Sequence, residues 1–245
     1  MFKKGDFHVH STASDGKLTP SEVIEFSKER GVDIISLTDH NTTSGLEEAM
    51  EFGEKYGVTV IPGIELSTRY RGAEVHMLGY FKDDGYKNKT FQEVIRLIKG
   101  RKIKSAKRLL KGIVDIDIDN NKLSVLSGIR LLRSFEAIVV LAHPVTINKS
   151  YLKEILEFPF DGIEAKYYRN SIDETKFFLQ LSKQLDKFYT AGSDFHTNKK
   201  RDLRHGLIGE TYLNSKEIEK FLKESTLINS FGQNKFLEDV APSGF

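Results

Sequence analysis

From Met1 to about Phe81, short apolar runs alternate with amphipathic stretches, and the same alternation returns from about Glu136 onward. The apolar runs predict strands at Asp6 to His10, Asp33 to Thr38, Thr59 to Glu65, Glu74 to Tyr80, Ala137 to Ala142, Asp161 to Ala165 and Lys187 to Ala191, with helices between most of them. Helix starts are well signalled. Thr19-Pro20-Ser21-Glu22 combines a capping box with proline at the first helical position, and Ser44…Glu47 and Ser171…Glu174 repeat the Ser-x-x-Glu form. Strands followed mostly by helices in one chain of 245 residues predict an α/β fold, a small or distorted βα barrel spanning 1–245 as a single domain. A doubly wound open sheet is the other arrangement of such a pattern, but no Gly-x-Gly-x-x-Gly or P-loop follows the first strand. Lys82 to Phe135 breaks the alternation and reads as a helical insertion, with Phe91, Val94, Ile95, Leu97 and Ile98 as its apolar stripe.

Composition narrows the chemistry. The chain is 39% hydrophobic and 29% charged, an ordinary globular balance. At this length folding buries about three quarters of the unfolded surface, so the core needs no disulfide or structural metal. The 37 basic and 35 acidic residues leave a formal charge of +2, which argues against a general electrostatic nucleic-acid binder. Basic character is local: from Arg96 to Lys111, Arg96, Lys99, Arg101, Lys102, Lys104, Lys107, Arg108 and Lys111 occur with no acidic residue. A run of this kind is usually a solvated helix face. No apolar run is long enough to cross a membrane, and MFKKGDFHVH enters a patterned segment without a signal-peptide core, so a cytoplasmic location without membrane partners is expected. With 0 cysteines, thiolate metal sites, disulfides and cysteine nucleophiles are excluded together.

The histidines carry the strongest signal. Of 7, all but His205 are read as lying at or just beyond the C-terminal end of a predicted strand: His8, His10, His40, His76, His143 and His196. The strand period of two sets Asp6, His8 and His10 on one face, with Phe7 and Val9 on the other. Asp39-His40, Ala142-His143 and Asp194-Phe195-His196 end apolar runs in the same way, and Glu65 closes another. A βα barrel gathers the C-terminal ends of its strands around one face, so these residues converge on one pocket. Clustered carboxylates repel and buried imidazoles lose hydration, whereas divalent cations satisfy both. Two or three ions of the Mn, Fe or Zn type are therefore expected as cofactors, and closely spaced ions mostly serve hydrolysis at phosphorus or at an amide. Asp6 and Asp39 are read as partners that orient neighbouring imidazoles. Glu164 ends a strand too, but a salt bridge to Lys166 or Arg169 fits it equally well. Asp115, Asp117 and Asp119 alternate with isoleucines as in a turn or edge strand, without the glycine and terminal glutamate of a calcium loop.

The segments DFHVHSTASDGKLTP, SLTDHNT, IPGIELS, EVHMLGY, VVLAHP and AGSDFH, in this order from Asp6 to His196, closely resemble the PHP (polymerase and histidinol phosphatase) family. The resemblance implies a distorted (βα)7 TIM-like barrel with a trinuclear metal centre. It implies His8, His10, Glu65 and Asp194 around one metal, Glu65 bridging to a second held with His76 and His143, and Asp15, His40 and His196 around a third. The TASDGKLTP opening and the insertion after HMLGY look most like the branch that hydrolyses nucleoside 3′,5′-bisphosphates and trims RNA from its 5′ end. A phosphomonoesterase on a small phosphorylated substrate, a nucleotide or nucleoside 3′,5′-bisphosphate, follows as the expected function. A hydroxide shared by the first two metals would attack phosphorus in line. Arg169, Arg204 and His205 follow ligand-bearing strands and are the candidates for holding the substrate phosphate. The alternatives are a 5′-3′ exoribonuclease on short RNA, with Arg96 to Lys111 as its track, a histidinol phosphatase, and last a non-catalytic metal-binding module.

Overall fold

The computed structural model describes residues 1–119, 121–199, 202 and 204–227. Its elements run β1 (Lys4–Val9), α1 (Pro20–Glu29), β2 (Ile34–Leu37), α2 (Leu46–Tyr56), β3 (Thr59–Tyr70), β4 (Ala73–Phe81), α3 (Lys89–Lys99) and α4 (Ile103–Leu109). There follow β5 (Ile118–Asp119), β6 (Lys122–Ser124), α5 (Val125–Arg133), β7 (Ala137–Leu141), α6 (Lys149–Leu156), β8 (Gly162–Tyr167), α7 (Ile172–Gln184), β9 (Phe188–Gly192), β10 (Leu213–Asn214) and α8 (Ser215–Glu224). Each strand expected from the apolar runs is present, with ends shifted by a few residues.

The sheet order is β10-β1-β2-β3-β4-β7-β8-β9. The segment after β9 closes the sheet into a distorted TIM-like barrel, since Phe195 bridges to Val9 and the His10 N–H donates to the Phe195 carbonyl at 2.9 Å. Neighbours in this order are parallel except around β4, which runs antiparallel to both β3 and β7, and at the edge, where the short β10 runs antiparallel to β1. Expecting every histidine at the C-terminal end of its strand was therefore wrong for His76, which sits near the start of β4 opposite Ser67. The cause is local: Arg71 (φ 49°) and Gly72 (φ 81°) form a two-residue left-handed turn of the hairpin type, so β3 runs on to Tyr70 and β4 folds straight back. Reversal brings the N-terminal part of β4 to the face where the other strands end.

Two apolar layers hold this arrangement. Ile61 shares the face of Glu65, and Leu78 and Tyr80 share that of His76, so the cluster of Ile34, Ile61, Leu78, Tyr80, Val140 and Phe188 fills the barrel beneath that end. Ile218, Phe221 and Leu222 of α8 close its other end. Phe7 belongs to this inner cluster whereas Val9 belongs to the outer one, because the β1–β2 register shifts between Asp6 and Val9. Simple alternation therefore fails in β1: Asp6 turns away from the imidazoles. The outer cluster packs helices onto the barrel, and Phe91, Val94, Ile95 and Ile98 of α3 join it as the apolar stripe required. The segment from Lys82 to Phe135 also carries the β5–β6 hairpin, whose β6 pairs in parallel with the end of β3. No helix of the described residues is long and apolar enough to cross a membrane.

The capping boxes of Thr19 and Ser171 are both formed. Ser44 caps nothing: α2 starts at Leu46 behind Gly45, with no side-chain cap, and the Ser44 N–H is taken by Thr42 Oγ1 at 3.3 Å. Thr19→Ala should lower unfolding free energy by about 1 kcal/mol, while Ser44→Ala should cost under about 0.5 kcal/mol. Urea denaturation of the two variants checks this, and equal losses would contradict the difference in capping.

Candidate metal centre

Glu65, 1% exposed, lies at the middle of the pocket. Its Oε2 stands 3.2 Å from His8 Nε2, 3.2 Å from His10 Nε2 and 3.1 Å from His40 Nδ1. Its Oε1 stands 2.9 Å from His76 Nδ1 and 3.0 Å from His143 Nε2. Asp194 Oδ1 approaches His8 Nε2 at 3.4 Å, His10 Nε2 at 3.2 Å and His196 Nδ1 at 3.6 Å. Asp15 completes the outer side, 3.2 Å from His196 Nε2 and 3.8 Å from His40 Nε2. Thus His8, His10, Asp15, His40, Glu65, His76, His143, Asp194 and His196 are all brought together. Donor atoms converge in overlapping groups, among them His8/His10/Glu65/Asp194, His40/Glu65/His76 and His10/Asp15/His40/His196.

These groups fit cations better than they fit one another. His8 Nε2 and His10 Nε2 face each other at 3.1 Å, and at most one of two such nitrogens in a pair can donate to the other's lone pair. His10 Nδ1, His40 Nδ1, His76 Nε2 and Glu65 Oε2 are buried without a hydrogen-bond partner. Ligands about 2.1 Å from one ion are separated by roughly 3.0 to 3.4 Å in octahedral and tetrahedral geometry, the spacing found here. The donor set of imidazole and carboxylate suits Zn, Mn or Fe.

Without a cation the charges lean on each other. Burial opposes the charged form of Glu65, but the imidazoles of His40, His8 and His76 outweigh it and hold its carboxyl well below the usual range. Burial likewise opposes protonation of His10 and His76, yet the surrounding carboxylates push them up to about 9 and about 10. His40 goes the other way, to about 4, because burial and the neighbouring His10 and His76 outweigh Glu65. A cation entering this pocket must displace protons.

The supporting contacts differ from those expected. Asp6 and Asp39 do not touch the imidazoles. Asp6 accepts from the backbone N–H of Ser193 at 3.0 Å and Gly209 at 2.8 Å, which fastens β1 to the segments after β9. Asp39 accepts from the N–H and Oγ of Ser11 and from Ser14 Oγ, at 2.8, 2.7 and 2.5 Å, and so fixes the loop that carries Asp15. Glu164 takes the orienting role. It is fully buried, its Oε1 accepts from His8 Nδ1 at 3.0 Å, and its Oε2 accepts from the His143 N–H at 2.7 Å. Neither Lys166 nor Arg169 pairs with it; Lys166 instead bonds Glu217 at 2.6 Å. Tyr167, which sequence reasoning missed, donates from its hydroxyl to Asp194 Oδ2 at 2.9 Å. The register shift between Glu164 and Lys166 brings Tyr167 to the same face, which a strict period of two conceals. His143 (φ 27°) and Asp194 (φ 54°) both sit in left-handed backbone, strain that the surrounding bonds hold in place.

The expected phosphate contacts separate. His205 stacks on His196 with ring centroids 3.9 Å apart and is held by Asp202 at 2.9 Å. Arg169 and Arg204 are exposed, and among the described residues no ion pair joins either to the cluster.

A cluster of imidazoles and carboxylates gathered at the mouth of a distorted barrel fits a metal-dependent hydrolase, and the comparisons with known proteins narrow this to the phosphoesterases. Residues 6–185 match the PHP domain model, and the chain belongs to the PHP family. It is similar to a 5′-3′ exoribonuclease of Haemophilus influenzae, 26% identical over 254 residues that cover 80% of this chain and 91% of that protein. Over 82 residues it is 48% identical to a phosphoribosyl 1,2-cyclic phosphate 1,2-diphosphodiesterase of Eggerthella lenta, covering 33% of this chain and 31% of the relative. Over 74 residues it is 40% identical to a 3′,5′-nucleoside bisphosphate phosphatase of Chromobacterium violaceum, covering 30% of this chain and 26% of the relative. In fold it is similar to a crystal structure of a proposed metal-dependent phosphoesterase from Bifidobacterium adolescentis. The TM-score is 0.69 at 20% identity, over 90% of this chain and 96% of that one.

Two substitutions probe the centre. Glu164→Gln sets an amide against the His143 N–H or removes the anion beside His8, and should lower Mn²⁺ affinity about 10- to 100-fold; unchanged affinity in a calorimetric titration would mean packing alone orients His8. A Cβ on Gly192 would stand 2.2 Å from His8 Cβ and 2.3 Å from Glu164 Oε1. Gly192→Ala should therefore reduce both bound metal and the unfolding midpoint, and a full metal complement in that variant would contradict the close approach.

Proposed function

We propose that this protein hydrolyses a phosphomonoester of a nucleotide, with a nucleoside 3′,5′-bisphosphate as the leading substrate. The observation that supports this most directly is Glu65, whose two oxygens each face a different set of imidazoles from the centre of the pocket. On this reading His8, His10, Glu65 and Asp194 hold one cation, Glu65 with His76 and His143 a second, and Asp15, His40 and His196 a third. When bound, such cations supply a hydroxide near neutral pH and neutralise charge on the phosphoryl oxygens. The chain's own groups do the rest. Glu164 keeps His8 in the tautomer that offers Nε2 to the pocket, Tyr167 fixes the Asp194 carboxylate, and Asp39 holds the Asp15 loop at the outer side. Of the three expected phosphate contacts, His205 would be the one to meet a phosphoryl oxygen beside the cluster, a reading supported by its stacking on His196.

The similarity to the Chromobacterium bisphosphate phosphatase supports the small substrate. The similarity to the Haemophilus exoribonuclease, which extends over most of both chains, supports trimming of short RNA from its 5′ end as the second reading. With nucleotides as substrates, a cytoplasmic enzyme is the corresponding location. A substrate panel tests the proposal: the Mn²⁺-loaded protein should release phosphate from adenosine 3′,5′-bisphosphate, and chelation should abolish release. Shortening of a 5′-phosphorylated RNA oligomer with no bisphosphate turnover would replace the first reading by the second, and turnover of histidinol phosphate alone would overturn both. Glu65→Gln should lower kcat by about two orders of magnitude or more, because one carboxylate serves two cations; near-normal turnover would remove its bridging role.

A further inference from the structure

A cleft opens between the metal cluster and a wall that includes Arg69, Arg101 and Lys102. Beyond it, at the C-terminal end of α4, a separate groove of about 990 Å³ is lined by Lys107, Arg108, Lys111, Ile113, Val114 and Ile118. Its origin is local. α4 buries Ile103 and Ala106, and Gly112 (φ 86°) then turns the chain in a left-handed conformation that glycine takes without a Cβ clash. Of the β-branched residues that follow, Ile116 is buried, whereas Ile113 and Ile118 are 49% and 39% exposed. The groove thus has an aliphatic floor open to water, which marks a contact surface when it is rimmed by polar groups.

The rim is cationic. Lys107 reaches Asp115 at 3.6 Å, and both side chains are exposed, so the pair holds weakly. Arg108 Nη2 donates only to Ser105 Oγ, at 3.2 Å, and among the described residues no salt bridge involves Arg108 or Lys111. An occupant that satisfies both parts carries apolar side chains next to carboxylates. No aromatic ring lines the groove on which a nucleobase could stack, and this favours a polypeptide over RNA.

The chain itself contains such a sequence. Residues 228–245 lie outside the described residues, and within them Phe236-Leu237-Glu238-Asp239-Val240 sets two adjacent carboxylates between apolar residues. Chain length decides which copy supplies it. Leu227 packs with Leu213 and Ile218 in the layer at the end of the barrel opposite the metal cluster, and Leu213 pairs with Gly5 in register with Ile34 and Thr59. The groove lies at the other end, since Ile118 pairs with Leu123, which pairs with Thr68. From Thr59 to Thr68, β3 rises by roughly 30 Å. From Leu227 to Phe236 a fully extended chain spans at most roughly 32 Å, which leaves almost nothing for the path around the barrel and across β6 and β5.

We propose that the groove at the end of α4 receives residues 236–240 of a second copy of this chain, with Phe236, Leu237 and Val240 on the aliphatic floor and Glu238 and Asp239 against Lys107, Arg108 and Lys111. Exchanged reciprocally, the two contacts form a closed two-fold dimer. Two five-residue contacts stay below the roughly 1,200 Å² that stable complexes bury, so the dimer dissociates in the micromolar range.

Sedimentation velocity of the full chain, from about 1 to 200 µM, tests this with K107E/R108E and E238K/D239K. Wild type should pass from monomer to dimer across this range, and each variant alone should associate at least about tenfold more weakly. An equimolar mixture of the two variants should recover wild-type association within about threefold, because each reversed segment then meets a groove of opposite charge. Lys107 and Arg108 are exposed, so their reversal leaves the core intact. A wild type that stays monomeric at 200 µM overturns the proposal, as does a mixture that fails to associate. Fluorescence anisotropy of a 5′-phosphorylated RNA oligomer covers the other class of occupant: weaker RNA binding by K107E/R108E with unchanged self-association would give the groove to nucleic acid and overturn the proposal.

Discussion

A carboxylate with almost no access to water, surrounded by five imidazoles, is the constraint on which this fold depends. Glu65 buried alone would be strongly destabilising, and the histidines around it would each lose hydration for nothing. Together they compensate. The consequences spread through the barrel: β4 reverses so that His76 arrives from the opposite direction, and His143 and Asp194 accept left-handed backbone so that their side chains point inward. Asp6 is spent on backbone N–H groups and Asp39 on the Ser11 N–H and two serine hydroxyls, because closing the barrel and fixing the Asp15 loop both require buried acceptors.

The sequence made the ends of the strands readable, and with them His8, His10, His40, Glu65, His143, Asp194 and His196, whereas Asp15 stands on a loop and His76 near the start of its strand. That success has a simple origin: strand period and barrel topology together determine where a strand end must go, whatever its partners are. Failures occur where a residue's role depends on what lies across the barrel. Asp6 was misread because the β1 register shifts within the His8 segment, and Tyr167 was missed because β8 shifts beside Glu164. Glu164 stayed open between the cluster and an ion pair with Lys166 or Arg169, since nothing local to it announces that His8, far away in the chain, will sit 3.0 Å from its carboxylate. Ser44 shows the limit of a capping motif: its hydroxyl and N–H were already committed to the Thr42 turn, which left Gly45 to begin the helix.

The two walls of the cleft are built differently. One consists largely of buried groups at strand ends, some locked by a further contact, as His8 is by Glu164 and Asp194 by Tyr167, so a change in these leaves an uncompensated charge. The other, apart from Arg69, consists of exposed side chains on a segment between β4 and β7. Substitution there touches little of the core, and surface changes of that kind usually alter stability by about 0.5 kcal/mol or less. One wall of the cleft can therefore change in sequence without disturbing the other, since the first belongs to the barrel and the second to the segment between β4 and β7. Arg69 joins the two, because it stands on the same strand face as Glu65, so the spacing between the central carboxylate and this guanidinium-bearing residue is set by the rise of a single β-strand, roughly 3.3 Å per residue, rather than by the conformation of a loop.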